Sequence, residues 1–253
     1  MTEMVPIKLN GKYQLTIPDH RACRPEWQPE NGCWEGPRTE AMHDLIVPGD
    51  VVYYVGAEEG EFPALCETWG AKTYLLEPNP KVWSNIRAIY EANGLNTPVC
   101  FPGFASNSTE LLGVEPKVGW PDCAYEEIIA AHGFKELHTE SEFYPQIRLD
   151  DLYERFPEDV PTVLSFDVEG SEFHVLRGAD RIVTEFRPLI FASIHPEMMM
   201  HHWGEWSRDL RNWINSHDYS EIILDFEHEL HTVHMPNERY GEVAGKLTGR
   251  HLH

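Results

Sequence analysis

Basic side chains are scarce: 20 Lys and Arg stand against 42 Asp and Glu, a formal net charge of −22 with His neutral. So acidic a surface repels phosphate backbones, because affinity for nucleic acid comes largely from cationic neutralisation. No Lys/Arg-rich run offsets this locally, so a nucleic-acid partner is not expected. Long apolar runs are also missing. None approaches the roughly 18 residues that a membrane helix needs, and the opening MTEMVPIKLNGK lacks the apolar centre of a secretory signal. The expectation is a soluble, cytoplasmic protein with no membrane partner. Cysteine is sparse: Cys23, Cys33, Cys66, Cys100 and Cys123 are odd in number and contain no CxxC. That pattern argues against a disulfide framework or a zinc site and for free thiols in a reducing compartment. Internal repeats and low-complexity linkers are absent.

What is present suits one large α/β domain: 253 residues, 42% hydrophobic and 25% charged. Residues 1–49, with Pro18, Pro25, Pro29 and Pro37 around Trp27 and Trp34, show no sustained periodicity. They read as an irregular arm laid over the domain, with the tryptophans as anchors. From residue 50 strands and helices alternate. DVVYYVG reads as a buried strand and residues 60–69 as a helix. KTYLLE is a second strand, residues 81–92 are a helix with Trp83, Ile86 and Ile89 at helical spacing, and TPVCFPG is a third strand. Residues 107–148 read as an insertion with a hairpin and a short helix near EEIIAAHG. LDDLYERF is then a short helix, TVLSFDVEG a strand and turn, residues 171–176 the start of a helix and PLIFASIH another strand. A helix over 206–216 precedes YSEIILDF and ELHTVHM, which pair as an antiparallel hairpin. Such alternation implies a mostly parallel sheet covered on both faces, with its ligand site outside the carboxyl ends of the strands.

Four stretches at predicted strand ends carry chemistry. In YVGAEEGEF, Gly56 and Gly60 let the backbone pass close to a ligand at a helix start. Glu77 in LLEPNP, about 20 residues on, is placed to accept hydrogen bonds from both hydroxyls of a ribose. Asp167 and Glu169 in SFDVEGSEFHVLRGA are two carboxylates that packing explains poorly. They suit a cofactor amine, a divalent cation or a substrate hydroxyl. His195 ends PLIFASIH. Its ordinary pKa of about 6.5 leaves it neutral at pH 7 and able to accept a proton. The alternative is that it merely caps its strand.

Together, YVGAEEG, EPNP, LDDL, DVEGSEFHVLRGA and RPLIFASIH resemble the FkbM family of class I S-adenosylmethionine-dependent methyltransferases, over roughly residues 50–195 and in family order. The resemblance implies a Rossmann-like fold with a seven-stranded, mostly parallel sheet and a C-terminal antiparallel hairpin, in a domain spanning 50–253. It implies O-methylation of a small-molecule or carbohydrate acceptor with S-adenosyl-L-methionine as cofactor. By that resemblance Tyr54, Gly56, Ala57, Glu58 and Gly60 surround the methionine part, Glu77 and Pro78 the ribose, and Phe104, Ala105 and Ser106 the adenine. Asp167 sits near the reacting end, and His195, Asp167 and Glu169 are the catalytic candidates.

One departure stands out: Tyr54 replaces the acid of the family's D-x-G-A, which helps hold the cofactor's ammonium. Glu58, Glu59 or Asp167 would have to compensate, and a methyltransferase-fold scaffold without turnover is the alternative reading. Asp167, Glu169 and His195 also suit Mg²⁺ or Mn²⁺. Cofactor contacts account for the same carboxylates, so a cation is not expected. HPEMMMHHWGEW reads either as a lid, with His201, His202, Trp203 and Trp206 over the acceptor, or as a helix start with Met in the core. In HELHTVH, strand alternation puts His228 and His234 on one face and His231 on the other, which argues against a metal site.

Overall fold

The computed structural model describes residues 3–31, 33–121, 144–226 and 229–248. Strands β1 (Met4–Leu9) and β2 (Tyr13–Pro18) form an antiparallel hairpin, followed by the short helix α1 (Asp19–Ala22) and the longer α2 (Gly36–Leu45). The N-terminal segment is therefore not irregular, as its prolines suggested. Leu9, Tyr13, Leu15 and Ile17 of the hairpin, and Trp27 after it, are buried in a core shared with the main sheet.

That sheet begins with β3 (Val51–Val55), α3 (Glu61–Thr68), β4 (Lys72–Leu76), α4 (Trp83–Ala92) and β5 (Val99–Phe101). Three two-residue strands follow: β6 (Phe104–Ala105), β7 (Lys117–Val118) and β8 (Gln146–Ile147). The chain continues through α5 (Leu149–Arg155), β9 (Val163–Asp167), α6 (Glu172–Arg177) and β10 (Leu189–Ile194). It ends with α7 (Pro196–Trp203), α8 (Ser207–Asn215), β11 (Tyr219–Phe226), β12 (Leu230–Pro236) and α9 (Tyr240–Leu247). The sheet order is β11-β12-β10-β9-β3-β4-β5-β7. Strands β10, β9, β3, β4 and β5 are parallel, and β12 runs antiparallel between β10 and β11. The expected seven strands are present. The eighth is β7, which lies inside the expected insertion and adds antiparallel to the edge of β5. The expected EEIIAAHG helix and Cys123 lie outside the described residues.

Side chains on the central strands alternate between two cores, as a doubly covered sheet requires. Val52, Tyr54, Leu75, Phe191 and Val233 face the layer that holds the N-terminal hairpin, α2, α3, α4 and α9. Tyr53, Val55, Leu76, Phe101, Phe166 and Ile194 face α5, α6 and α8. The thiols of Cys66 and Cys100 are buried and free. No helix among the described residues is long and apolar enough to cross a membrane.

Trp27 fixes the N-terminal segment to this core. It is 1% exposed, its ring meets Phe62 edge-on, and its indole Nε1–H donates to the Arg21 carbonyl at 2.9 Å. Trp27→Ala should destabilise the fold by about 3–5 kcal/mol, the usual cost of emptying an aromatic site. Urea unfolding measures it, and a loss below about 1 kcal/mol would show that the segment is not part of the cooperative core.

Candidate functional site

The sheet switches direction of travel at β3, with β4 on one side and β9 on the other, and the cleft opens over the tips of these strands. The tips are drawn together at Gly56. Its φ is 79°, and a Cβ there would lie 1.9 Å from the Asp167 carbonyl oxygen, so only glycine fits. Gly60 serves packing instead. Its missing Cβ admits Ile86 of α4, and the residue does not line the cleft.

The cleft measures about 310 Å³. Of the residues expected to hold a cofactor, Gly56, Glu58, Glu77, Pro78, Phe104, Ala105, Ser106 and Asp167 line it, as does Glu169. Tyr54 and Ala57 face a smaller adjoining space instead. Glu77 directly follows β4 and is almost fully buried. One of its oxygens accepts from the Glu58 amide at 3.0 Å and the other from the Asn79 amide at 2.7 Å. Burial, only partly offset by these bonds, pushes its pKa up to about 8. Once the group is ionised, each oxygen keeps a second lone pair for a ligand hydroxyl.

The stretches around Asp150 and Gly178 are scaffold for this wall. Asp150 caps the turn after Gly178, accepting from the Ile182 and Arg181 amides at 3.0 and 3.2 Å. Gly178 packs so tightly that a Cβ would stand 2.0 Å from the Ser106 carbonyl. LDDL and LRGA thus set the position of Ser106 and contribute no group to the cleft.

β9 and β10 pair in parallel with Ser193 opposite Asp167, which brings His195 behind Asp167. The imidazole is surrounded by acid. Nδ1 lies 2.7 Å from Glu172 Oε1, and Nε2 lies 3.0 Å from Glu229, 3.5 Å from Glu169 and 3.7 Å from Asp167. Burial opposes charge on the ring, but the bonds to Glu172 and Glu229 and the field of Asp167 outweigh it and raise the pKa to about 11. The expected neutral ring is therefore replaced by an imidazolium, because its partners are four carboxylates. Asp167 is pushed up in turn, first by burial and then by Glu35.

Asp167, His195 and Glu229 place ligand atoms within 4.8 Å of one another, so Glu229 stands where Glu169 was expected in a cation set. A divalent ion there would have to displace the ring proton. The other histidines are occupied elsewhere: His231 Nδ1 is 2.9 Å from Ser193 Oγ, and His234 Nε2 is 3.0 Å from Thr232 Oγ1. His228 lies outside the described residues.

The HPEMMMHHWGEW stretch is helical through Trp203, with Met199 fully buried. Only Trp203 of the four lid candidates lines the cleft, its ring 4.3 Å from that of His174. Sequence reasoning misses Glu35, Arg38, Glu172, Glu229 and His174. Glu172 closes the DVEGSE block, where its spacing is visible. Arg38 and Glu229 come from distant elements and leave no local signal.

This sheet order, with β12 reversed near one edge and a cleft over the tips of β3, β4 and β9, defines a Rossmann-like class I methyltransferase fold. A methyltransferase FkbM domain is matched by residues 50–221, and the chain belongs to that family. Over 131 residues it is 30% identical to the hexuronic acid methyltransferase AglP of Haloferax volcanii, covering 51% of this chain and 49% of that protein. The crystal structure of a methyltransferase FkbM from Methylobacillus flagellatus matches with a TM-score of 0.51 and 17% identity, over 74% of this chain and 43% of that one. The chain thus spans about half the length of the curated relative.

A histidine pKa raised from 6.5 to about 11 stabilises the fold fully below pH 6.5, and that contribution is lost as pH rises through about 11. At pH 8 both ring nitrogens of His195 should still carry protons in long-range ¹⁵N–¹H spectra. A ring that titrates near 6.5 would contradict the charged assignment.

Proposed function

We propose that the protein uses S-adenosyl-L-methionine to methylate a hydroxyl oxygen of a small molecule or glycan. The observation that carries this reading is the pairing of Glu77 with the Gly56 turn across one cleft, in a chain of the FkbM family. The residues suit the cofactor: a tight turn at Gly56 that brings backbone to the cleft wall, and a buried carboxyl group at Glu77 facing the same cleft. When bound, the cofactor supplies a methyl group already activated on sulfonium, which leaves binding, orientation and removal of one proton to the protein.

Glu77 accepts the ribose hydroxyls, and Phe104 to Ser106 border the adenine. Asp167 takes the acceptor's hydroxyl proton. It lines the cleft, where a bound hydroxyl would lie within its reach. His195 already holds its own proton, so it serves as the charge partner that keeps Asp167 and Glu169 together. Trp203 and His174 at the rim offer flat faces suited to a sugar ring. The hexuronic acid named for the Haloferax relative and the net charge of −22 both favour a carbohydrate or small-molecule acceptor over nucleic acid.

Calorimetric titration with S-adenosylhomocysteine tests the cofactor, and transfer of labelled methyl to a panel of hydroxylated acceptors tests the reaction. Binding without transfer to any acceptor would instead support a scaffold that has lost turnover. At pH 9, above the pKa of about 8 and with Glu77 ionised, Glu77→Ala should weaken cofactor binding by about 1.5–3 kcal/mol, the scale of a hydrogen bond to a charged group, and an unchanged dissociation constant would remove the ribose assignment. Asp167→Asn should lower turnover roughly 10²–10⁴-fold. Activity within threefold of the parent would place the base elsewhere. Full activity after exhaustive chelation would exclude a required cation at Asp167, His195 and Glu229.

A further inference from the structure

Beside the cleft lies a second space of about 10 Å³, room for one water. Gly56, Glu58 and Asp167 line both, which makes the small space an inner recess of the cleft. Glu35 and Arg38 form part of its wall, at the start of α2 and outside the stretch that matches the family. Arg38 is 1% exposed. One guanidinium nitrogen pairs with Glu35 and lies 3.9 Å from Asp167, and the other donates to Ser165 Oγ at 2.8 Å. Its Nε–H has no partner. A buried donor without an acceptor is costly, and buried polar groups are normally bonded. An arginine held this way beside a recess is poised for an acceptor that arrives from outside.

We infer that Glu35 and Arg38 hold the amino-acid end of the cofactor, Glu35 its ammonium and Arg38 its carboxylate, an assignment that depends on the cofactor proposed above. A zwitterion needs one group of each sign, and these two side chains supply them side by side. Arginine's planar fork of donors matches a carboxylate. Because the recess holds only one water, entry proceeds by exchange of partners. Arg38 turns from Glu35 to the incoming carboxylate, and Glu35 is released to the ammonium. Both charges remain paired, and the unused Nε–H gains an acceptor. Glu61, also on the wall, is already paired with Arg21 at 2.6 Å. Glu59 accepts from Asn85 at 2.6 Å and does not line the recess. The acid missing at position 54 is thus supplied from position 35. The ring of Tyr54, 5.8 Å from the guanidinium, backs Arg38.

The test uses four ligands in calorimetry: S-adenosylmethionine, S-adenosylhomocysteine, decarboxylated S-adenosylmethionine and 5′-methylthioadenosine, which lacks the amino-acid end. Arg38→Met and the milder Arg38→Lys are compared with the parent, alongside Glu35→Gln. Arg38→Met should weaken the two carboxylate-bearing ligands roughly 10–100-fold, and leave the decarboxylated compound and methylthioadenosine within about twofold. Glu35→Gln should weaken every ligand that carries the ammonium and spare methylthioadenosine. Equal losses for all four ligands would assign Arg38 to the scaffold and overturn the inference, as would unchanged affinity throughout. If neither Arg38 variant folds, the parent still decides. Its affinity for the decarboxylated compound should fall roughly 10–100-fold below that for S-adenosylmethionine, and equal affinities would overturn the carboxylate contact. A parent that binds methylthioadenosine but does not distinguish the others refutes this inference alone. A parent that binds none of the four refutes the cofactor reading as well.

Discussion

Charge balance at the strand tips is the constraint on which the site depends. Glu35, Asp167, Glu169, Glu172 and Glu229 converge on a small region, and two cations answer them there, Arg38 and the imidazolium of His195. Buried carboxylates are tolerated only when paired and hydrogen-bonded. The pairing here reaches across the molecule: α2 supplies one cation and the residue after β10 supplies the other. The acids come from the start of α2, the end of β9 and the turn after it, α6, and the residue before β12. Removing either cation leaves several acids to repel one another in a poorly solvated space. Burial first, and Glu35 next, raise the pKa of Asp167 in that space.

Much of the fold is legible because the central strands are buried on both faces. VVYYV, VLSFD and LIFASI are largely apolar runs, which periodicity identifies as strands only with the help of the turn signals around them. The reversed β12 is legible from the short spacing between ELHTVHM and YSEIILDF. The N-terminal hairpin is harder to see, although its pattern is present: Ile7, Leu9, Tyr13, Leu15 and Ile17 alternate about Asn10-Gly11, a turn pair with positive φ at both residues. The prolines that follow point to irregular chain, and they outweigh an alternation only six residues long on each side.

The site divides in the same way. Gly56 and Glu77 are legible because each directly follows a strand of the parallel run, and Ser106 because it comes soon after β5, so topology carries them to one edge. Arg38 and Glu229 belong to α2 and to the approach to β12, far along the chain from the family motifs, and no spacing rule connects them to the cleft. The protonation of His195 is equally beyond reach. It depends on four carboxylates whose distances exist only in the folded chain, and the ordinary pKa of an isolated ring points the other way. Gly178, in the DVEGSEFHVLRGA stretch, shows a motif residue that serves packing: it makes room for the Ser106 carbonyl.

The two walls of the cleft belong to different halves of the sheet. Gly56, Glu77 and the 104–106 segment are mounted on β3, β4 and β5. Asp167 and Glu169 belong to the tip of β9, while His174 and Trp203 are mounted on α6 and α7. Those two helices are tied to each other by the tilted contact of the His174 and Trp203 rings and by Arg177, whose guanidinium reaches Glu205, just past the end of α7, at 2.6 Å. The rim on α6 and α7 is therefore separate from the wall that carries Glu77. The two jaws of the cleft are thus separately mounted, so that one can be reshaped while the other keeps its form.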